Sequence, residues 1–258
     1  MALVPALRVV PLAWVRRHEE IDPLRVDQLR SRVDSEGVQV NPVICAEAGD
    51  ESFVVLDGAS RTEALRQLGF EYVVVQVVDP ARVTLETWHH VIRNCHPSDV
   101  VDQIAAHPDL ILSEARGTPR VTTADGASVS VLGSSLSPNA TLTSLVDSYI
   151  GRWTASRIID PAPDIVSLRF PDWSVVVEFP PLDAKEVIKA ALGRDLLPAG
   201  VTRFLIPERV LRLNARVSLL QGSGSLAAKQ EELDALIQVR SRAGRVRRYE
   251  ETVVVLDD

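Results

Sequence analysis

Apolar positions recur along the first 80 residues in two rhythms, one strand-like and one helical. Leu7 to Val15 is an apolar run holding Pro11, which predicts an edge strand or one that breaks at the proline. Pro23 follows Asp22 at a helix start, and Leu24, Val26, Leu29 and Val33 trace an apolar face ending near Gly37. Asn41-Pro42 turns the chain into a strand at 43–46. A Gly49-Asp50 turn then leads to a partner strand at 53–56, completing a hairpin. A helix follows Asp57 and ends at Gly69, and the β-branched stretch 72–78 reads as a strand.

Beyond residue 80 the pattern predicts a helix over 84–93 carrying Trp88, His89 and His90. Residues 113–140, rich in Gly, Ser, Thr and Pro, read as hairpin and loop with short strands at 119–122 and 127–132. A helix near 140–152, strands near 164–169 and 174–179, and a helix at 183–192 capped by Asp183 come next. A strand near 210–213, a polar helix over 225–239 and a closing strand over 249–256 complete the series. No internal repeat or heptad pattern is visible. The fold class is α+β, divided into an N-terminal domain over 1–95 and a C-terminal mixed α/β domain over 96–258.

Composition narrows the function. The 258 residues suffice for one large domain or two small ones, and 46% hydrophobic with 24% charged residues suits a soluble globular protein. A net charge of −7 supplies no global field for nucleic acid, which is not expected as a partner. Cys45 and Cys95 form no metal-ligand or redox pattern, as in a reducing cytoplasm. The N-terminus places apolar residues before its arginines, the reverse of a signal peptide, and no apolar run approaches membrane-spanning length. A cytoplasmic, soluble protein is expected.

Four segments carry candidate chemistry. At Asp57-Gly58-Ala59-Ser60-Arg61 a strand meets a helix; the glycine permits a tight turn, the free N–H groups cradle an anion, and Arg61 adds a planar fork of donors. The same residues also suit an ordinary capped turn. Arg16-Arg17-His18-Glu19-Glu20 offers a carboxylate base or simple charge beside a helix start. Thr87-Trp88-His89-His90 could wall a small-molecule pocket or divide between core and surface. It lacks the His-Glu-x-x-His spacing, and no metal is assigned. Pro198-Ala199-Gly200-Val201-Thr202-Arg203-Phe204 combines a glycine with hydroxyl and guanidinium groups, suited to an anion or carboxylate, or to a plain connection.

The order His18-Glu19, Pro23-Leu24-Arg25, Asn41-Pro42-Val43, Leu56-Asp57-Gly58-x-x-Arg61, Ala64-Leu65 and Leu68-Gly69 resembles the ParB/sulfiredoxin-like domain. Thr87-Trp88-x-His90 and the Pro198–Phe204 run resemble the free L-serine kinases of that superfamily, both the staphyloferrin B siderophore type and the archaeal ADP-dependent type. The resemblance implies transfer of a phosphoryl group from ATP or ADP, with Mg2+, to the hydroxyl of L-serine or a related hydroxy-amino acid, in siderophore or other specialised biosynthesis. It implies Glu19 as the base and Asp57 as an essential carboxylate near the metal-bound phosphates. Pro42, Gly58, Ala59, Ser60 and Arg61 would contact the nucleotide, and Trp88, His90, Thr202 and Arg203 the amino acid, in a cleft between the domains. This chain has Ser60 where the family usually carries histidine; serine cannot carry charge there.

Sulfiredoxin chemistry needs a cysteine thiolate where this chain has Ala59. A ParB-like nucleotide-binding regulator is the alternative. It would want a helix-turn-helix after the first domain and a basic surface, for which Arg240-x-Arg242-x-x-Arg245-x-Arg247-Arg248 is the one concentrated positive stretch.

Overall fold

The structure, a computed structural model, describes residues 6–49, 51–222 and 224–249. The strand expected at 249–256 lies outside them apart from Tyr249. In chain order the elements begin with β1 (Leu7–Pro11), β2 (Val15–Arg16), α1 (Pro23–Glu36), β3 (Val38–Gln39), β4 (Val43–Glu47), β5 (Phe53–Asp57), α2 (Ala59–Gln67) and β6 (Tyr72–Val78). They continue with β7 (Thr84–Thr87), β8 (His89–Arg93), α3 (Pro97–Ala105), β9 (Leu110–Ser113), β10 (Arg120–Thr123), β11 (Ser128–Gly133), α4 (Pro138–Tyr149) and β12 (Thr154–Ile158). Then come α5 (Pro163–Arg169), β13 (Trp173–Glu178), α6 (Ala184–Leu192), β14 (Thr202–Leu205), β15 (Ala215–Arg216), α7 (Val217–Leu220) and α8 (Leu226–Arg242).

The chain divides into two compact units, grouped differently from a single cut at residue 95. Among the described residues one comprises 6–15, Pro23–Arg82 and 206–249; the other comprises Arg16–Asp22 and Val83–Leu205. Local pairing explains why the C-terminal stretch joins the first unit. Ala215 of β15 pairs with Gln39 of β3, and Gln230 of α8 satisfies the edge of β1 by accepting from Val9 N at 2.9 Å and donating to Leu7 O at 3.2 Å. An edge strand is thereby closed by a helix side chain.

The first unit is built on a five-stranded sheet ordered β1-β6-β4-β5-β2. β4 runs parallel to β6 and antiparallel to β5, as the hairpin pattern predicts. Its centre, Val43, Cys45, Val55 and Val73–Val75, is fully buried and packs with Leu65, Leu220 and Leu233. Two glutamines are buried with them. Gln39 donates to Val74 O at 2.7 Å and accepts from Val74 N at 2.9 Å, so its amide replaces a ladder partner for β6. Gln76 does the same for the segment following Ile206, donating to Glu208 O at 3.1 Å and accepting from Val210 N at 2.9 Å.

The second unit carries a six-stranded antiparallel sheet ordered β12-β8-β13-β10-β11-β9, and a separate ribbon in which β14 pairs with β7. The predicted hairpin at 119–132 forms, as β10 and β11. The predicted helix over 84–93 does not. β8 lies between β12 and β13, so both of its edges are paired, and His89, His90, Val91 and Ile92 are all buried. The imidazoles satisfied inside the sheet disguised a central strand as a polar helix. Residues 164–169, expected as a strand, lie in helix α5, begun by Pro163 with Asp164 in its first turn. Residues 210–213 form no strand, because Glu208, Arg212 and Asn214 around them take left-handed backbone angles of φ 55°, 54° and 44° that cannot continue a ladder. The cap at Asp183 is as expected, and Ser225 caps α8 in the same way, each side chain accepting from first-turn amides.

Replacing Gln39 by leucine keeps the volume but leaves the Val74 amide buried without a partner. Urea unfolding is expected to show a loss of about 2 kcal/mol or more; a change within about 0.5 kcal/mol would mean that the amide pairing contributes little.

Candidate active site

In the first unit, β5 delivers Asp57 to its end and Gly58 turns the chain into α2. Gly58 has φ 103°, a left-handed angle that favours glycine, and a Cβ there would lie 2.7 Å from Arg61 Nη1 and displace it. Arg61 folds beneath this turn and donates from Nη1 to Pro42 O at 2.7 Å. Pro42, Gly58, Ala59, Ser60 and Arg61 are thus one local cluster, under the first-turn amides of a nine-residue helix. Ser60 lies within the helix, and Gly58 is its N-cap without a side-chain bond, so Ser60 does not cap it. Thr62 instead anchors the turn, its amide and hydroxyl both donating to Gly58 O at 2.9 and 3.0 Å.

The charge balance at this corner favours an anion. Burial would raise Asp57, but the guanidinium groups of Arg61, Arg209 and Arg25 outweigh it and hold the carboxyl below its usual range. Burial also lowers the pKa of Arg61, with Asp57 opposing, yet a guanidinium stays charged. Arg209 donates to Asp57 Oδ2 at 2.7 Å. Neither Arg209 nor Arg25 was assigned a role from the sequence: nothing in local spacing links position 209 to position 57. Cys45 is fully buried beneath, and burial pushes its thiol up, which leaves it unreactive.

In the second unit the Gly200 loop meets Glu19. Glu20 N donates to Leu197 O at 2.7 Å and Leu197 N to His18 O at 2.9 Å, clamping the two segments in register. Glu19 Oε2 then accepts from Gly200 N and from Thr202 Oγ1, each at 3.2 Å. The threonine hydroxyl has one proton, and giving it to Glu19 makes Thr202 Oγ1 the acceptor for His18 Nε2 at 2.8 Å. His18 is 1% exposed and stands edge-on to Phe204. Its part of the motif was visible in the sequence, but its task of orienting Thr202 was not.

Arg203 and Trp88 meet through the β14–β7 ribbon, where Arg203 pairs with Glu86 and Thr202 with Thr87. The Arg203 guanidinium lies 4.8 Å from the Trp88 ring centroid and donates to Glu86 Oε2 at 2.9 Å. Its planar fork is held partly exposed by an aromatic face and a carboxylate. His90, expected at the amino acid, is 3% exposed and lies behind the loop. Its Nε2 faces Gly200 O at 3.2 Å, an acceptor, so Nε2 carries the proton and Nδ1 accepts from Tyr149 OH at 2.7 Å. Gly200 sits at φ 85°, and a Cβ there would crowd the Arg157 guanidinium. The structure therefore brings Glu19, Thr202, Arg203 and Trp88 into one constellation, with His90 and Tyr149 supporting its backbone.

No family model matches the chain. Its fold is shared with a free serine kinase solved in complex with AMP, at TM-score 0.72 and 15% identity over 84% of this chain and 94% of that one. At the sequence level the chain is similar to the ATP-dependent L-serine kinase SbnI of Staphylococcus aureus, 25% identical over 218 residues, or 83% of this chain and 84% of that protein. The structure of SbnI with a C-terminal truncation matches at TM-score 0.74 and 22% identity, over 91% of this chain and 97% of that one. An ATP-dependent L-serine kinase of Staphylothermus marinus is 36% identical over 78 residues, 29% of this chain and 31% of that protein. The resemblance to serine kinases read from the motifs is borne out. Among the described residues no helix is long and apolar enough to cross a membrane.

Burial holds His90 at a pKa of about 4, against the Gly200 hydrogen bond and with help from Arg157 and His89. An unfolded imidazole titrates near ~6.5, so between these values the unfolded chain binds the extra proton. This contribution is complete above about pH 6.5 and lost as pH falls toward 4, amounting to about 3 kcal/mol. Denaturation at about pH 7 and about pH 4.5 is expected to show the stability gap between the native chain and His90→Gln narrowing by about 2–3 kcal/mol. A constant gap would contradict a neutral buried imidazole.

Proposed function

We propose that this protein is a free amino-acid kinase that transfers a phosphoryl group from ATP or ADP to the side-chain hydroxyl of L-serine, giving O-phospho-L-serine. The observation that carries the reading is Glu19 Oε2, fixed by the Gly200 amide and the Thr202 hydroxyl on the same loop that presents Arg203. The relatives named above as L-serine kinases, and the AMP complex that shares the fold, support it.

Phosphoryl transfer asks a protein for positioning and charge neutralisation more than for covalent chemistry. In this reading Arg203 receives the amino acid's carboxylate in its planar fork, Trp88 walls the pocket, and Glu19 accepts the hydroxyl proton. The Gly200 and Thr202 donors hold the carboxylate in one orientation while it waits for that proton. The first-turn amides of α2 and the Arg61 charge beneath them bind nucleotide phosphate.

Mg2+ would neutralise phosphate charge. Among the described residues no group of three or more His, Cys, Asp or Glu could hold a metal alone. A magnesium ion carried on a nucleotide needs only one or two protein carboxylates, and Asp57 at the phosphate corner supplies one. The residues thus fit a metal that arrives with its nucleotide.

The test is incubation with L-serine, Mg2+ and either ATP or ADP, with mass-spectrometric detection of product. O-Phosphoserine is expected with at least one donor. Its absence with both, across a panel of hydroxy-amino acids, would refute the reading.

A further inference from the structure

The segment after Ile206 makes a large conformational investment to deliver one arginine. Three non-glycine residues within seven positions, Glu208, Arg212 and Asn214, adopt left-handed backbone angles. Such residues cluster where function requires a geometry that relaxed backbone does not provide. The segment is also tied along its length. Gln76 holds Glu208 O and Val210 N, Asn41 Oδ1 accepts from Arg212 N at 2.8 Å, and Val40 O accepts from Asn214 N at 2.9 Å. Arg240 donates to Leu213 O, and Arg248 pairs with Glu208 at 3.4 Å. These ties leave Arg209 aimed at Asp57.

The pair so formed is a poor reason for the strain. The Arg209 and Asp57 side chains are 34% and 42% exposed, and an ion pair in contact with water stabilises a fold only slightly. Asp57 faces Arg25, Arg61 and Arg209, three guanidinium charges to one carboxylate, beside the amides that open α2. That excess of positive charge suits an anion carrying more than one negative charge.

We propose that Arg209 is a further phosphate-binding residue, and that nucleotide phosphate competes with Asp57 for its donors. On binding, nucleotide phosphate takes the Arg209 donors and releases Asp57 toward the magnesium that the nucleotide carries. The segment from Ile206 to Asn214 is the rigid strap that keeps Arg209 in reach. This rests on the nucleotide half of the reading above and not on the acceptor.

Calorimetric titration of the full chain with ATP, ADP and adenosine tests it, in the presence of Mg2+ and again in excess chelator. Arg209→Met is expected to weaken ATP and ADP binding by roughly tenfold to a hundredfold while adenosine affinity is unchanged, with Arg209→Lys intermediate. Asp57→Asn is expected to tighten chelator-treated ATP, because it removes the competitor for Arg209, and to abolish the gain that Mg2+ provides. Equal ATP affinity in Arg209→Met and the native chain would overturn the proposal. So would parallel loss of ATP and adenosine, which marks a structural role, or no binding of either nucleotide by the native chain. If nucleotide binding depends on Arg209 while no phosphoserine forms, this inference stands and the kinase reading fails.

Discussion

The second unit's chemistry depends on one left-handed glycine. Gly200 at φ 85° turns its amide toward Glu19 and its carbonyl toward the buried His90. The left-handed angle favours glycine, and a side chain there would crowd the Arg157 guanidinium. From that one backbone angle follow the orientation of the Glu19 carboxylate, the donation from Thr202 and the proton order through His18. The same angle fixes the tautomer of His90 and hence the direction of the Tyr149 hydroxyl.

The first unit solves a parallel problem with the same device. Gly58, also left-handed, lies directly over the arginine it accommodates. In both places glycine lets a backbone approach a guanidinium group closely, so that fixed amides and a fixed charge act together. Preorganisation of this kind is what phosphoryl transfer asks of a protein, since electrostatic stabilisation works best when nothing must reorganise.

Much of this was legible in the sequence. The hairpin of β4 and β5, the strand-to-helix corner at Gly58 and the cap of α6 follow from turn residues, periodicity and N-cap chemistry. The pairing of Glu19 with Thr202, and of Arg203 with Trp88, puts motif residues far apart in sequence into contact. What stayed hidden was buried polarity and long-range geometry. His89 and His90 look like surface residues until β8 is seen with a neighbour on each side. The strain at Glu208, Arg212 and Asn214 has no glycine to announce it, so the segment carrying Arg209 read as an ordinary strand.

The central claim is that Glu19 is the base whose position the Gly200 loop fixes. Glu19→Gln keeps the shape and the contacts with neighbouring donors weaker but present, while removing the ability to take a proton. Comparing L-serine phosphorylation with nucleotide affinity in that variant tests the claim most directly. Turnover is expected to fall by about a hundredfold or more with nucleotide affinity preserved. Turnover at the native level would contradict the account.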